Sequence, residues 1–339
     1  LWQYFNNSII LKNMINRNLA IILLSTFALS ACAKSANEPQ TPSTNQQSTS
    51  PELQSKIQKL VEKTKKNMIF IEGGTFMMGD FGPLTRKDKL PIVGLYAAMP
   101  AHKVTLDSFS LNAYKTTFDD FDIYTDSLGQ PRISMEKITK DLRQPMAPAG
   151  ISWQQASDYC QWLGKQVGIP MNLPTEAQWE YAARNKGQYI IYPTDNGKYE
   201  VGRNVWSDEQ RDQVSKSLNF SAIVPLLGHF PPTPLGFYDM ATDNHEWMSD
   251  WFDPQYYNNS PELNPQGPKS GKLKSVRSTR QEGAAQSLAT GGSVTTIYRK
   301  GMEPNPQYEK DDDSIDYINI NTSTSVRCAS NSPKPFPKQ

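Results

Sequence analysis

The sequence predicts a loop-rich domain of the α/β (α+β) class. Two segments carry helix-capping signatures, short apolar segments alternate with them, and Pro, Gly and Asn punctuate the second half of the chain. A hydrophobic content of 37% is sufficient for a folded core. The 35 basic and 34 acidic residues nearly cancel. Nucleic acid is therefore not an expected partner, because binding it requires a concentrated basic surface.

The N-terminus is typical of an exported protein, and residues 1–31 are predicted to be a signal peptide. Arg17 precedes the apolar run Leu19–Leu29. This run is too short for a permanent membrane helix, which needs roughly 20 apolar residues, and it fits the hydrophobic region of a secretory signal. Met14 is the expected start, so residues 1–13 are interpreted as non-native upstream sequence.

The end of this segment, Leu29-Ser30-Ala31-Cys32, resembles the lipobox of bacterial lipoproteins. Small residues before the cleavage point suit the signal peptidase, and the thiol of Cys32 is predicted to carry the lipid. The alternative is an ordinary signal peptide with a cysteine near its cleavage site. Because Ala33 rather than Asp follows the cysteine, the resemblance implies an anchor in the outer membrane that faces the periplasm of a Gram-negative cell.

Residues 32–52 are predicted to be a disordered tether behind the lipid. The stretch is rich in Ser, Thr, Pro, Gln and Asn, a composition that cannot bury enough apolar surface to fold. Treated as a flexible coil, about 20 residues have a reach of roughly 25 Å. The folded part can then meet partners away from the membrane surface.

The folded part is predicted to begin with a helix over residues 53–67. Ser50 supplies a hydroxyl cap and Pro51 occupies the first helical position. Apolar residues recur at helical spacing at positions 53, 57, 60 and 61, and Asn67 is the expected stop.

Short β segments and two capped helices follow. Met68–Glu72 and Thr75–Met78 are apolar segments around a Gly-Gly pair, which predicts a β-hairpin. Ser152-Trp-Gln-Gln155 and Thr175-Glu-Ala-Gln178 are capping boxes, and each is followed by apolar residues on one helical face.

A series of motifs follows in a fixed order along the chain. They are Met68–Gly79, Ile151–Cys160, Leu173–Arg184, Gly236–Met240 with Glu246-Trp247 and Asp250-Trp251, and Val326–Ala329. Together they resemble the sulfatase-modifying-factor family, to which the formylglycine-generating enzymes belong. The resemblance implies one formylglycine-generating-enzyme-like domain over residues 68–330, distantly like a C-type lectin, and a tail over residues 331–339. A fold alone does not define an activity.

The resemblance also indicates what catalysis would require. The family's enzymes hold copper(I) with a pair of cysteines that follows an Arg-Gly-Gly-Ser-like turn, and soft thiolates are needed because hydroxyl groups do not select Cu(I). The corresponding turn here is Val276-Arg277-Ser278-Thr279-Arg280, and no cysteine occurs between Arg277 and Arg327. The sequence therefore predicts a catalytically degenerate domain, with no copper expected.

Cys160 and Cys328 are the other two cysteines of the chain. Export to an oxidising compartment favours a disulfide between them, and the family resemblance implies the same pairing. The alternative is a pair of buried, reduced cysteines. A bridge would stabilise the fold by roughly 4–5 kcal/mol through the chain entropy of the loop that it closes.

Calcium is the ion that the resemblance favours, since the family binds it through loop carbonyls and Asn or Asp side chains, and Ca²⁺ prefers hard oxygen ligands. Asn204 stands where one family site has an Asn. Asp243 and Glu246 fall in a second motif, Thr242–Trp247. The alternative is that these are solvated turn residues.

We expect the domain to act as a protein-binding module. Its scaffold holds an extended peptide in the family's enzymes, and Trp247, Trp251 and Arg277 are the residues predicted to line the corresponding groove. Core packing or a structural ion pair is the alternative role for each. Lipoproteins of this fold are envelope structural components or immunity proteins that neutralise secreted toxins, so the expected partner is another protein of one of these kinds.

An oxidative or maturation enzyme of altered, copper-independent chemistry is the alternative function. It would need polar groups that converge in one pocket, with His245, Glu246 and Arg277 as the candidates. His102, His229 and His245 are isolated from one another in the sequence, which disfavours an iron centre. Clustering of His245, Glu246 and Arg277 around a cavity would favour the enzyme, and dispersal of these three residues would favour the binding module.

Overall fold

Short helices and strands joined by long loops make up the computed structural model of this protein, which confirms the loop-rich α+β class. The structure describes residues 50–135, 139–218, 226–242, 244–279, 294–305, 308–310, 317–319 and 323–337, within one compact unit, Ser48–Gln339. The α-helices described are Pro51–Asn67 (α1), Gly82–Thr85 (α2), Phe118–Ser127 (α3), Trp153–Val167 (α4), Glu176–Ala183 (α5) and Asp208–Ser217 (α6), and the short 3-10 helices are Tyr96–Ala98, Lys140–Leu142 and Tyr256–Asn258. The strands are Met68–Ile71 (β1), Gly74–Met78 (β2), His102–Leu106 (β3), Phe109–Asn112 (β4), His245–Trp251 (β5), Lys274–Arg277 (β6), Lys300–Met302 (β7), Tyr308–Lys310 (β8), Tyr317–Asn319 (β9), Thr324–Ser325 (β10) and Ala329–Ser330 (β11). Among these residues, no helix combines the length and apolarity that a membrane crossing requires.

Side-chain caps fix where the helices begin. The Ser50 hydroxyl accepts a hydrogen bond from the Leu53 amide at 3.2 Å, and α1 ends at Asn67. Both predicted capping boxes are present at the starts of α4 and α5. A third, which the sequence analysis did not identify, starts α6 at Ser207. Each cap satisfies backbone N–H groups that the first helical turn leaves without a partner.

The predicted β-hairpin around Gly73 is wrong, because β1 and β2 pair with other strands. β1 pairs with β4, with Met68 opposite Asn112, and β2 pairs with β3, with Met78 opposite His102. The register is continuous across both pairs, although β1 and β4 belong to the sheet β1-β4-β11 and β2 and β3 pair as a separate two-stranded sheet. A Cβ atom on Gly73 would lie 2.2 Å from a carbonyl oxygen of β3. Glycine is therefore needed there for close approach and not for a tight turn.

A four-stranded sheet carries the residues of functional interest. Its strand order is β10-β5-β6-β7. β5 runs antiparallel to β6, with Trp247 opposite Val276, and parallel to β10. The register between β5 and β6 shifts between Trp247 and Trp251. Because β5 and β6 are the central strands, the fold covers most of their side chains.

Among the described residues, three clusters of buried apolar side chains form the core, and the smallest joins Phe81, Ala98 and Ile297. Of the two larger clusters, one joins α1, α3 and α4 to Trp247 and Val276 of the four-stranded sheet, and the other surrounds α5 between β1–β4 and Phe237. Phe336 belongs to the first of these two larger clusters and is 4% exposed. The segment after Ser330, expected to be a tail, is therefore held against the domain by an aromatic side chain whose burial stabilises it.

Candidate functional site

Strands β5 and β6 bring together the residues that the sequence singled out. Glu246 lies opposite Arg277 across the two strands. Glu246, Trp247 and Arg277 are each 0% exposed. The chemistry available to them is therefore determined by their interior neighbours.

The Glu246 carboxylate is enclosed by cationic and N–H donors. Arg327 donates to both of its oxygens, at 2.7 Å and 3.0 Å, and the Trp179 indole donates at 3.0 Å. The Lys115 ammonium lies 3.6 Å away. Burial alone would raise the pKa of Glu246, but Arg327 and Lys115 outweigh it and hold this pKa below its ordinary value. Glu246 is a charged structural residue with both oxygens engaged.

Arg277 belongs to a second buried cluster, formed by three arginines and two glutamates. Arg277 donates to Glu180 at 2.7 Å and lies 3.4 Å from Glu176. Arg299 donates to both oxygens of Glu176, at 2.9 Å and 2.5 Å, and Arg184 donates to Glu180 at 2.8 Å. Burial lowers the pKa of Arg277, but the two glutamates outweigh it and the net direction is upward. We call these five residues the arginine–glutamate cluster.

The predicted binding groove needs correction at two of its three residues. Trp247 packs in the core, and its indole N–H donates to the Ile151 carbonyl at 2.8 Å. Arg277 is held in the arginine–glutamate cluster. A side chain with no exposed surface cannot contact a partner, so core packing and a structural ion pair are the roles that the structure assigns to them.

Trp251 is the half-buried member of the predicted groove, and it contacts a cation of its own chain. The Lys274 ammonium lies 3.9 Å from the ring centroids of both Trp153 and Trp251 and donates to the Ser249 carbonyl at 2.8 Å. Burial lowers the pKa of Lys274 to about 8, although Asp250 acts in the opposite direction. Such stacking on two indole faces compensates part of the desolvation of an ammonium ion.

Asp250 is a buried carboxyl group that the sequence analysis missed. It is 3% exposed, and it accepts hydrogen bonds from the Glu176 amide at 3.0 Å and the Ser249 hydroxyl at 3.1 Å. Burial, reinforced by the charge of Glu176, raises the pKa of Asp250 to about 7. The alternation of β5 places it inward, but the sequence alone does not identify its neighbours.

Asp250→Asn is expected to change how stability depends on pH. The folded protein disfavours the Asp250 carboxylate, so stability present below an unfolded pKa near 3.8 is lost as pH rises through about 7. Relative to the wild type, the variant should gain roughly 3 kcal/mol in unfolding free energy between pH 5 and pH 8. Urea denaturation at both pH values measures this gain. A difference in unfolding free energy between the two proteins that does not change with pH would contradict the assignment.

The three residues considered for altered chemistry do not form an open site. Glu246 and Arg277 are neutralised in separate ion-pair clusters, and Nδ1 of His245 lies 2.8 Å from the Ser278 carbonyl oxygen. None of the three lines the pockets formed around α1, around α2 or beside the start of α5. The three residues are neighbours on β5 and β6, but they do not surround any of these three pockets, so the clustering around a cavity that would favour the enzyme is not found there.

Two of the three residues considered for calcium have side-chain oxygens engaged within the chain. Both oxygens of Glu246 already accept from Arg327. Asp243 lies outside the described residues. The oxygen of Asn204 accepts from the Glu200 amide at 2.9 Å, and its amide group donates to Asp195 at 3.1 Å. In the described parts of the chain, no group of three or more His, Cys, Asp or Glu side chains is placed to hold a metal ion.

Cys160 and Cys328 form a disulfide between α4 and the segment before β11. Their Cα atoms lie 5.5 Å apart, and 168 positions separate them in the sequence. Both are buried, with 0% and 1% exposure. Cys32 and the rest of residues 1–49 lie outside the described residues.

The fold is of the formylglycine-generating-enzyme type, and in this chain it contains two buried ion-pair clusters and a disulfide. A family model described as "Sulfatase-modifying factor enzyme 1-like domain" matches residues 54–322. This match covers well over half of the chain, and the protein belongs to this family.

Individual relatives agree with the assignment. The chain is 30% identical over 230 residues to the serine/threonine-protein kinase pkn1 of Chlamydia pneumoniae, covering 62% of this chain and 32% of that protein. It is 27% identical over 251 residues to the formylglycine-generating enzyme of Bos taurus, covering 60% and 63%. It is 26% identical over 229 residues to the inactive C-alpha-formylglycine-generating enzyme 2 of Bos taurus, covering 54% and 70%. The chain thus spans about a third of the kinase and less than two thirds of the bovine enzyme.

A solved structure supports the same fold. The structure of PvdO from Pseudomonas aeruginosa aligns with a TM-score of 0.53 and 23% identity, covering 78% of this chain and 93% of PvdO. At this level of identity the similarity concerns the fold.

Proposed function

We propose that this protein is a non-catalytic member of its family that binds another protein in the bacterial envelope, where a lipid on Cys32 anchors it. One observation carries the proposal: Cys160 and Cys328 are buried and bonded to each other. The only other cysteine in the sequence is Cys32.

The chemistry of copper explains why this pairing matters. Formylglycine synthesis in the family requires two thiolates that hold copper(I) beside the substrate cysteine, and thiolates are the ligands that select this ion. A disulfide provides no thiolate, because both of its sulfur atoms are bonded to each other. The residues of the chain therefore do not fit a copper(I) site, and no catalytic step is assigned to them.

The buried charges support the same conclusion. Glu246, Arg277 and their partners could act on a substrate only if they faced it, yet each is engaged by residues of its own chain. A relative named as inactive, the bovine protein described above, is consistent with a family that includes members without formylglycine-generating activity.

An aldehyde assay tests the absence of the family activity. The purified protein is incubated with copper and a cysteine-containing sulfatase peptide, and formylglycine is measured by mass spectrometry beside an active formylglycine-generating enzyme. We expect no aldehyde above the level of the peptide alone. Aldehyde formation that depends on this protein would contradict the proposal.

Cys32→Ser is expected to release the exported protein from the membrane fraction. The lipid is proposed to be attached to this sulfur, and one acyl-bearing residue is the only anchor assigned to the chain. Fractionation and intact-mass measurement of both forms test this, with the mature wild type carrying a lipid mass that the variant lacks. Equal membrane association of the two forms would contradict the anchor.

The partner is proposed to be a secreted toxin that the protein neutralises, or a structural component of the envelope. The immunity version requires stoichiometric binding to the product of a neighbouring toxin gene, and survival of toxin-exposed cells only when this protein is exported. Survival that does not depend on this protein would eliminate the immunity version. Co-purification with a peptidoglycan- or membrane-associated protein would then favour the structural version.

A further inference from the structure

An apolar pocket lies on the face of the domain formed by α2 and the residues around Tyr96 and Met99. The pocket has a volume of 380 Å³, and its lining combines apolar and aromatic side chains with two polar ones: Asp80, Pro83, Leu84, Tyr96, Met99 and Asn258, among others. Leu84 is 45% exposed and Tyr96 is 62% exposed. Nearby Leu90 is 57% exposed. Concentrated exposure of large apolar side chains is typical of a binding surface.

The loop that forms this pocket is held in place by Asp80. The carboxylate of Asp80 is 0% exposed and accepts hydrogen bonds from the amides of Gly82, Ile92 and Val93, each at 2.9 Å. A Cβ atom on Gly82 would lie 2.4 Å from the Leu90 carbonyl oxygen. The start of α2 at Gly82 and the segment of residues 90–93 are therefore held in close contact by the Asp80 carboxylate. A pocket organised before binding costs less conformational entropy to fill.

The charges beside the pocket indicate which partner it fits. The chain leaves the pocket wall at the end of α2 and continues through Arg86, Lys87, Asp88 and Lys89, all exposed. Arg86 pairs with Asp88 at 2.6 Å. Lys87 and Lys89 follow the lining residue Leu84 by three and five positions. They form no ion pair within the described part of the chain, so two unneutralised positive charges follow the pocket wall along the chain.

From this geometry we propose that the pocket, which we call the α2 pocket, binds a protein segment with one large apolar side chain flanked by acidic residues. The apolar side chain fills the space between Leu84, Tyr96 and Met99, and the acidic residues face Lys87 and Lys89. Burial of one aromatic or aliphatic anchor in a preformed pocket is the usual centre of such an interface. The inference rests on the proposed protein-binding function and gives it a location and a partner chemistry.

A protein segment fits this surface better than a lipid bilayer does. The apolar lining surrounds a pocket of 380 Å³, which has room for a large side chain, and a bilayer surface cannot fill such a concavity. A second copy of the chain would have to supply the same acidic and apolar combination. Binding to a bilayer and binding to a second copy of the chain can each be distinguished from peptide binding in the experiment below.

A random library of twelve-residue peptides, selected on the purified full chain, is the probe. We expect selected peptides to share an aromatic or large aliphatic residue next to Asp or Glu. Leu84→Asp should weaken their binding at least tenfold, measured by fluorescence polarisation. Lys87→Glu combined with Lys89→Glu should weaken it several-fold and reduce its dependence on salt.

The matched control is Leu128→Asp, which places the same charge on a leucine of similar exposure, 49%, at the end of α3. It should leave peptide binding unchanged, and thermal unfolding confirms that all variants are folded. Failure to select any peptide, equal binding by Leu84→Asp and Leu128→Asp, or basic rather than acidic flanks would overturn the inference. Binding to phosphatidylglycerol vesicles or self-association that Leu84→Asp abolishes, without peptide binding, would overturn it as well.

The outcome is separable from that of the proposed function. If the toxin or envelope partner binds Leu84→Asp and wild type equally, the α2 pocket is wrong and the binding function stands. If the aldehyde assay is positive, the non-catalytic assignment fails whatever the peptides show.

Discussion

Replacing Cys160 and Cys328 with alanine is expected to lower the free energy of unfolding by about 4–5 kcal/mol. The bridge joins positions 168 residues apart, so its loss releases a long loop in the unfolded chain and raises the entropy of that state. Both sulfurs are buried, and alanine avoids placing new polar groups in the core. This loss is comparable to the whole stability of many domains.

Urea denaturation with and without a thiol reductant measures the effect. The wild type should lose the same stability in reductant as it loses through the double substitution, and the double variant should not respond to reductant. A wild-type midpoint that reductant leaves unchanged would mean that the bridge does not stabilise the fold.

Arg299→Ala is expected to destabilise the protein by about 3–5 kcal/mol, because it removes the guanidinium that donates to both oxygens of the buried Glu176 carboxylate. Arg299 is 2% exposed and Glu176 is 2% exposed, and two hydrogen bonds join them. Removing the guanidinium leaves Glu176 with Arg277 as its remaining arginine, at 3.4 Å. The substitution also creates a cavity beside the aromatic rings on which Arg299 packs.

Arg203→Ala is the matched control for this prediction. Arg203 also makes two hydrogen bonds to one carboxylate, that of Asp195, at 3.0 Å and 2.7 Å, but its side chain is 51% exposed. Its loss should cost no more than about 1 kcal/mol. Chemical denaturation of the two variants compares them directly, and equal destabilisation would contradict a structural role for the arginine–glutamate cluster. If Arg299→Ala does not fold, the milder Glu176→Gln should still be less stable than Arg203→Ala.

Local sequence patterns predicted the elements whose causes are local. The caps at Ser50, Ser152 and Thr175 depend on residues within three positions of each other, and the structure contains all three. The predicted partnership of the cysteines came from compartment and family rather than from local pattern, and the structure contains that bond too.

Contacts between residues far apart in the chain could not be predicted from the sequence. Glu246 meets Arg327 across 81 positions, and Arg277 meets Glu180 across 97, so no local period shows that these charges neutralise one another. The sequence signal that was overlooked is Glu180, a charged residue within the apolar motif of α5. The predicted hairpin around Gly73 is wrong for the same reason, because two apolar segments that are neighbours in sequence do not show which strands they pair with.

We infer that Cys160 and Cys328 serve structure and not redox chemistry. A copper(I) titration of the exported, oxidised protein against a competing chelator, with free thiols labelled in parallel, tests this inference. We expect the chelator to retain the copper and Cys160 and Cys328 to take up no label. One equivalent of copper held by the protein, and lost on Cys160→Ala or Cys328→Ala, would contradict it.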